Sequence, residues 1–163
     1  MRFSESYLGQ LRSLVGSRCL LAIGARVLIE DSAGRFLLIK RTDSGLWGLP
    51  GGSMELGESL MDVVFREAME EANATIEKVT AFGLSSDPNV EQHTYPNGDQ
   101  LQNISLLAHG YISNSDYAAD GGEASEIKFF SYEDIDRDSF VATEYPTFSH
   151  WQAFRDTGAF QIV

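Results

Sequence analysis

Glu67, Glu70 and Glu71 stand at i, i+3 and i+4, so on a helix their carboxylates converge on one face. Like charges at that spacing oppose the helix, and no Lys or Arg one turn away is placed to relieve all three. Alone, such a triplet is an ordinary solvated face. Its surroundings give it another meaning. Gly51 and Gly52 follow Pro50, and a backbone without side chains can bring carbonyl oxygens close to a metal or a phosphate. Hard divalent cations take oxygen ligands, and Mg²⁺ combines a few carboxylates with substrate phosphate oxygens. A Gly-Gly loop facing a carboxylate helix supplies half of such a shell. Glu58, Asp62 and Arg66 then form an i, i+4, i+8 ladder that could pin the helix, and an arginine beside Glu67 could hold that carboxylate in one orientation. As surface ion pairs these would contribute little.

Taken in order, Gly52, Glu58, Arg66, Glu67, Ala68, Met69, Glu70, Glu71, Ala72, Asn73 and Ala74 resemble the box of the Nudix hydrolase family. The charged and glycine positions at this spacing would arise by chance in roughly one chain in 10⁵ of this length, from average residue usage. Trp47-Gly48-Leu49-Pro50-Gly51-Gly52 and Glu55 are also similar to common family sequence. Two positions depart from the pattern. Asn73 stands for the box glycine, a change that the left-handed backbone tolerates in Asn. Ala68 and Ala74 stand for larger aliphatics, which implies thinner packing under the helix.

The resemblance implies an α+β fold, the Nudix-type α/β/α sandwich, with a mixed sheet and the catalytic loop-helix on one side. It implies Mg²⁺ as cofactor, with Mn²⁺ as substitute, held by Glu67, Glu71 and Glu70 and by the carbonyl of Gly51. Arg66 and Glu58 hold the loop-helix geometry. The general base is either Glu67 or a carboxylate from a distant loop, for which Glu123 in Asp120-Gly121-Gly122-Glu123 is the first candidate and Glu126 the second. Attack of water on a P–O–P bridge develops charge on non-bridging and leaving oxygens, which divalent cations offset, while a carboxylate takes the proton. Trp47, Tyr95, Phe129 and Trp151 are candidates to line a nucleobase slot, and equally ordinary core aromatics. Arg26 and Arg41 flank the first hairpin and could meet phosphate, or simply be exposed strand residues. Pro88 lies past the box near the separation seen in family members that act on ADP-ribose.

The positioning elements follow from periodicity. Ser4 to Val15 carries Tyr7, Leu8, Leu11, Leu14 and Val15 at helical spacing, between a capping Ser4 and Gly16. Its stripe is expected to pack on the domain, with a homodimer contact as the alternative. Leu20 to Ile29 and Phe36 to Lys40 read as a hairpin, and Leu46 to Leu49 as a short extended piece. Glu58 to Ala72 is a helix ended by a left-handed Asn73. Strands are expected near 76–84, 103–112 and 126–130, with a turn at Tyr95 to Asp99 and a last helix over 143–155. The whole reads as a single domain over 1–163, with an N-terminal helix in 1–17, a core in 18–140 and a C-terminal helix and tail in 141–163.

Composition narrows the function classes. The chain has 163 residues, 24 acidic against 12 basic, and a net charge of −12. Its Lys and Arg are scattered singly, which argues against a long nucleic-acid partner and against cap removal from extended RNA. The single cysteine, Cys19, excludes an internal disulfide and is expected in the core. With no export or membrane signal, a soluble cytoplasmic protein is expected. The leading reading is a Mg²⁺-dependent hydrolase of a nucleoside diphosphate linked to another group, of the ADP-ribose or nucleotide-sugar type. The alternatives are a (d)NTP pyrophosphohydrolase and a Nudix-fold module that binds a nucleotide without cutting it.

Overall fold

Two antiparallel strands, β1 (Leu20–Glu30) and β2 (Phe36–Arg41), form the expected hairpin but pair directly only at Ile29–Leu37 and Glu30–Phe36. Towards the start of β1 they splay apart. The chain from β3 (Trp47–Gly48) to β4 (Gly51–Ser53) fills the gap: β3 pairs with β2, β4 pairs with β1, and Val27 N donates to Pro50 O at 2.9 Å. Gly51 and Gly52 are thereby built into the sheet. Gly24 is required opposite them, because a Cβ there would run into the Gly52 carbonyl.

The computed structural model describes residues 3–95 and 97–163; Pro96, inside the expected Tyr95 to Asp99 turn, lies outside them. Along its other edge β1 runs parallel to β7 (Gln100–Ile112), which pairs in turn with β5 (Ile76–Ser85) and the short β6 (Gln92–Thr94). β8 (Ala124–Phe130) covers the free edge of β2, and β9 (Gln161–Ile162) runs parallel to β5. The result is a mixed sheet, as expected. β6 and β9 are too short to carry an alternating apolar run, so neither is signalled in the sequence.

The sheet is buried on both faces. On one, Ala25, Val27, Ile29, Leu37 and Ile39 meet Val63, Val64, Ala68 and Ala72 of helix α2 (Leu60–Ala72). On the other, Leu28, Leu38 and Phe82 meet Phe140 and Phe148, the latter on α4 (Thr147–Thr157). Strand alternation produces this division, since odd residues of β1 face α2 and even ones face α4. Each fully buried Val or Leu contributes about 1.5–3 kcal/mol, so the two apolar layers fix which way every strand faces. Helix α1 (Tyr7–Val15) packs Leu8 against Ala22 and Leu101 of the sheet, and its Arg12 donates to Gln100 O at 2.9 Å. Leu14 is 81% exposed, so the expected stripe is only partly covered. Its cap is Ser6 rather than Ser4, because Phe3–Glu5 forms a tight 3-10 turn first. Cys19 is exposed, not in the core, because it precedes β1 where no layer covers the chain. Among the described residues no helix is long and apolar enough to cross a membrane.

Candidate active site

Helix α2 begins at Leu60, two residues later than the expected start at Glu58. Ser59 caps it and Asp62 closes a capping box, accepting from Ser59 N at 2.8 Å, so Asp62 serves the helix end rather than Arg66. At the other end Asn73 sits at φ 47°, ψ 36°, the left-handed geometry expected of the box glycine, and its Nδ2 donates to Asp116 O. Ala68 and Ala74 are fully buried, and small side chains there let the helix lie close to the sheet.

That close approach places Glu67 and Glu71 against the Gly-Gly strand. They are only 7% and 3% exposed. Gly51 N donates to Glu71 Oε2 at 2.9 Å, and a Cβ on Gly52 would fall inside the Glu67 carboxylate. Burial pushes the Glu71 carboxyl well above the ordinary glutamate range, opposed by the Gly51 N–H and reinforced by Glu67 and Glu123. Burial raises Glu67 too, partly offset by Arg66. Glu70, by contrast, points towards solvent at the rim.

The expectation that no cation relieves this cluster is corrected by Arg66. Its guanidinium bonds Glu58 Oε1 at 2.6 Å and Oε2 at 3.0 Å, Ser53 O at 3.0 Å, Glu67 Oε1 at 2.6 Å and Glu70 Oε2 at 3.2 Å. The hydrogen bonds it donates to Glu58 are the main reason its proton is held more firmly than usual, against the opposing effect of burial. One arginine thus ties the β4 strand, the loop glutamate and two box carboxylates together. Arg66 makes no hydrogen bond to Glu71.

Glu123 reaches the same place from a distant loop. A cavity of about 340 Å³ is lined by Glu67, Glu70, Glu71, Asp120, Gly122 and Glu123. Asp120 was not anticipated; its carboxylate accepts from Glu123 N at 3.1 Å and Ala124 N at 2.8 Å, fixing the loop. Glu126, the second candidate, faces Lys40 instead, 3.9 Å away. Among the described residues no three acidic, His or Cys side chains converge closely enough to enclose an ion unaided. The cavity is an open half-shell of oxygen donors, which suits a hard cation that completes its coordination from phosphate and water. The buried, charge-resisting Glu71 fits such an ion, because a divalent charge would reverse the cost of ionising it.

The candidate substrate residues separate. Arg41 stays near the cavity. Burial lowers its proton affinity, but the Asp43 hydrogen bonds at 3.1 Å and the charges of Glu144 and Glu71 more than offset this. Tyr95 is 37% exposed, packs edge-on against His93, and feels the charges of Arg41 and Asp43. Arg26 is a correction. As an even residue of β1 it faces α4, where it bonds Glu91, Ser105 Oγ and Thr143 O, so its donors serve a buried ion pair. Trp47 also belongs to the apolar wall, edge-on to Phe130 at 4.9 Å beneath Lys40. Phe129 packs in the α2-face core, and Trp151 stacks on His109 at 4.0 Å. Glu144, whose carboxylate accepts from Leu49 N at 2.7 Å and is raised by burial, carried no sequence signal. Pro88 opens a short helix, α3 (Pro88–Glu91), that delivers Glu91 to Arg26.

Comparisons with known proteins agree with this geometry. A Bacillus subtilis (strain 168) protein named for an 8-oxo-dGTP diphosphatase activity is 31% identical over 108 residues, 66% of this chain and 65% of that protein. An ADP-ribose pyrophosphatase of Methanocaldococcus jannaschii is 28% identical over 115 residues, 69% of this chain and 63% of the relative. The match therefore spans just under two thirds of the length of each relative. In fold, the crystal structure of a NUDIX hydrolase from Nitrosomonas europaea aligns with a TM-score of 0.68 at 24% identity, over 87% of this chain and 78% of that one. The family model for the NUDIX domain matches residues 20–152, from the start of β1 into α4 and across the whole carboxylate cavity, and the chain belongs to the Nudix family.

Proposed function

We propose that this chain is a divalent-metal-dependent hydrolase that cuts the pyrophosphate bridge of a nucleoside diphosphate linked to another group, of the ADP-ribose or nucleotide-sugar type. The observation that carries the reading is the cavity where Glu67, Glu70, Glu71 and Glu123 meet beside Gly51-Gly52. Glu67, Glu71, Glu70 and the Gly51 carbonyl would hold Mg²⁺, with Mn²⁺ as substitute. When bound, such an ion supplies charge for the oxygens on which negative charge develops.

The remaining steps belong to the chain. Arg66 keeps Glu67 in one orientation and spares the helix its own charge repulsion. Arg41, held by Asp43 and facing Glu71, meets a substrate phosphate. Tyr95, close enough to Arg41 to feel its charge, offers a ring face to the nucleobase. Water adds to phosphorus, the bridging P–O bond breaks, and the Glu123 carboxylate takes the water proton. Two phosphomonoesters leave. The pyrophosphatase name of the Methanocaldococcus jannaschii relative supports this substrate class.

A (d)NTP pyrophosphohydrolase is the second reading, favoured by the name of the Bacillus subtilis relative. The test is a hydrolysis panel of ADP-ribose, nucleotide sugars, dinucleoside polyphosphates and (d)NTPs with Mg²⁺, with products identified by mass. Nucleoside monophosphate plus a sugar phosphate supports the first reading. Release of inorganic pyrophosphate from a (d)NTP alone replaces it with the second. No turnover of any member returns the chain to the non-catalytic binding module.

A further inference from the structure

The loop that carries Glu123 is held from outside by a residue with no part in the family box. Thr42 follows β2 directly, and its backbone N donates to Glu123 O at 3.0 Å. Its Oγ1 lies 2.8 Å from Gly122 O and 3.2 Å from Glu123 O, so the hydroxyl proton is shared between these two carbonyls. From the other side the Asp120 carboxylate accepts from Glu123 N and Ala124 N, and Gly121 N donates to Ala124 O at 3.0 Å. Gly121 takes φ 75°, a conformation that favours glycine, and a Cβ on Gly122 would press on the Asp120 carboxylate at 2.9 Å, displacing the group that holds the loop.

A β-bulge lies at the same point. Lys40 pairs with Glu126 but Arg41 pairs with Ala124, leaving Ser125 as the extra residue, with its Oγ donating to Lys40 O at 3.0 Å. The extra residue reverses the alternation of β8, so Ala124 joins Ile127 and Phe129 in the α2-face core. Beyond the bulge the strand would drift along β2; the Thr42 bonds stop it at the wall of the carboxylate cavity.

The geometry points to Thr42 as a positioning residue for Glu123, a role that rests on the base assignment made above. Thr42 is exposed and its hydroxyl bonds only the Gly122 and Glu123 carbonyls, so removing it loosens the loop without disturbing the core. Valine keeps the β-branched shape at this strand end and deletes only the hydroxyl.

The experiment combines kinetics on the best substrate of the panel with amide hydrogen exchange. Thr42→Val is expected to lower kcat about tenfold, with KM within about twofold, as misplacement of a catalytic group should. Exchange at the Glu123 and Ala124 amides should accelerate, the melting temperature should hold, and Thr42→Ser should restore both rate and protection. On a Glu123→Gln background, Thr42→Val should add less than about twofold, because the two changes act on one group. If Glu123→Gln is crippled while Thr42→Val matches wild type in rate and exchange, the positioning role is overturned and the base assignment stands. A silent Glu123→Gln overturns the base assignment, and the positioning role with it.

Discussion

Two glutamates are buried on opposite faces of one sheet, and they are treated in opposite ways. Glu91, 1% exposed on the α4 face, has both carboxylate oxygens 2.7 Å from Arg26 Nη2. Ser105 Oγ and Thr143 O accept further hydrogen bonds from the same guanidinium. Glu71, 3% exposed on the α2 face, has one backbone N–H as its hydrogen-bond donor, and the like charges of Glu67 and Glu123 each outweigh the attraction of Arg41, which makes no hydrogen bond to it. A buried carboxylate costs several kcal/mol unless it is paired. The first region meets that cost internally and closes. The second leaves it unmet beside an open cavity, the pattern expected where a site acts on something from outside.

The largest predicted effect lies on the closed side. Glu91→Gln or Arg26→Met should destabilise the protein by about 3–5 kcal/mol in urea unfolding, because each strands a buried charge. Replacing both, as Arg26→Met/Glu91→Leu, should recover most of that loss. The same operation on the open side should have the reverse character. Glu71→Gln and Glu67→Gln should each lower kcat at least about 10²-fold, roughly 2.7 kcal/mol in the barrier, with metal-free stability unchanged or raised. If Glu71→Gln unfolds the protein as Glu91→Gln does, the two regions are alike and the contrast fails.

A smaller effect concerns pH. Glu71 and Glu67 have folded-state pKa values raised above the ordinary glutamate value, chiefly by burial. The folded state therefore keeps its full stability below about pH 4.3 with respect to these groups, and loses it as pH rises through the raised values. Without metal, the melting temperature of wild type should fall over that range more steeply than that of Glu71→Gln. Glu144, also raised by burial, remains in both proteins and cancels in the difference. Parallel curves would show that Glu71 ionises as freely in the folded chain as in the unfolded one.

The box was legible because its spacing is local: a helix turns Glu67 and Glu71 onto one face whatever the sheet does, and Gly51-Gly52 and Asn73 carry their backbone requirements in their residue types. Most strands were legible for the same reason, from alternation and turn residues. Partners that meet across the sheet were not. Arg26 read as a phosphate ligand because its charge was visible and its facing direction was not; one residue of register put it with Glu91. Glu144 and Thr42 carry no motif at all, and matter only because Leu49 and the Glu123 loop come to them in space. Arg66 is legible beside Glu67, and its i,i+4 spacing to Glu70 carries the second contact, at 3.2 Å.

The most direct measurement is the melting temperature with EDTA and with about 10 mM Mg²⁺, on wild type and on Glu67→Gln/Glu71→Gln. An ion that binds the folded cavity and not the unfolded chain stabilises by RT ln(1 + [L]/Kd), about 2.7 kcal/mol at a hundredfold excess over Kd. For a chain of this size that is a rise of roughly 5–10 °C at neutral pH. The rise should shrink towards pH 5, where protons compete for the same oxygens, and vanish in the double variant. A wild-type melt indifferent to Mg²⁺, or a shift of equal size in the double variant, would contradict the account.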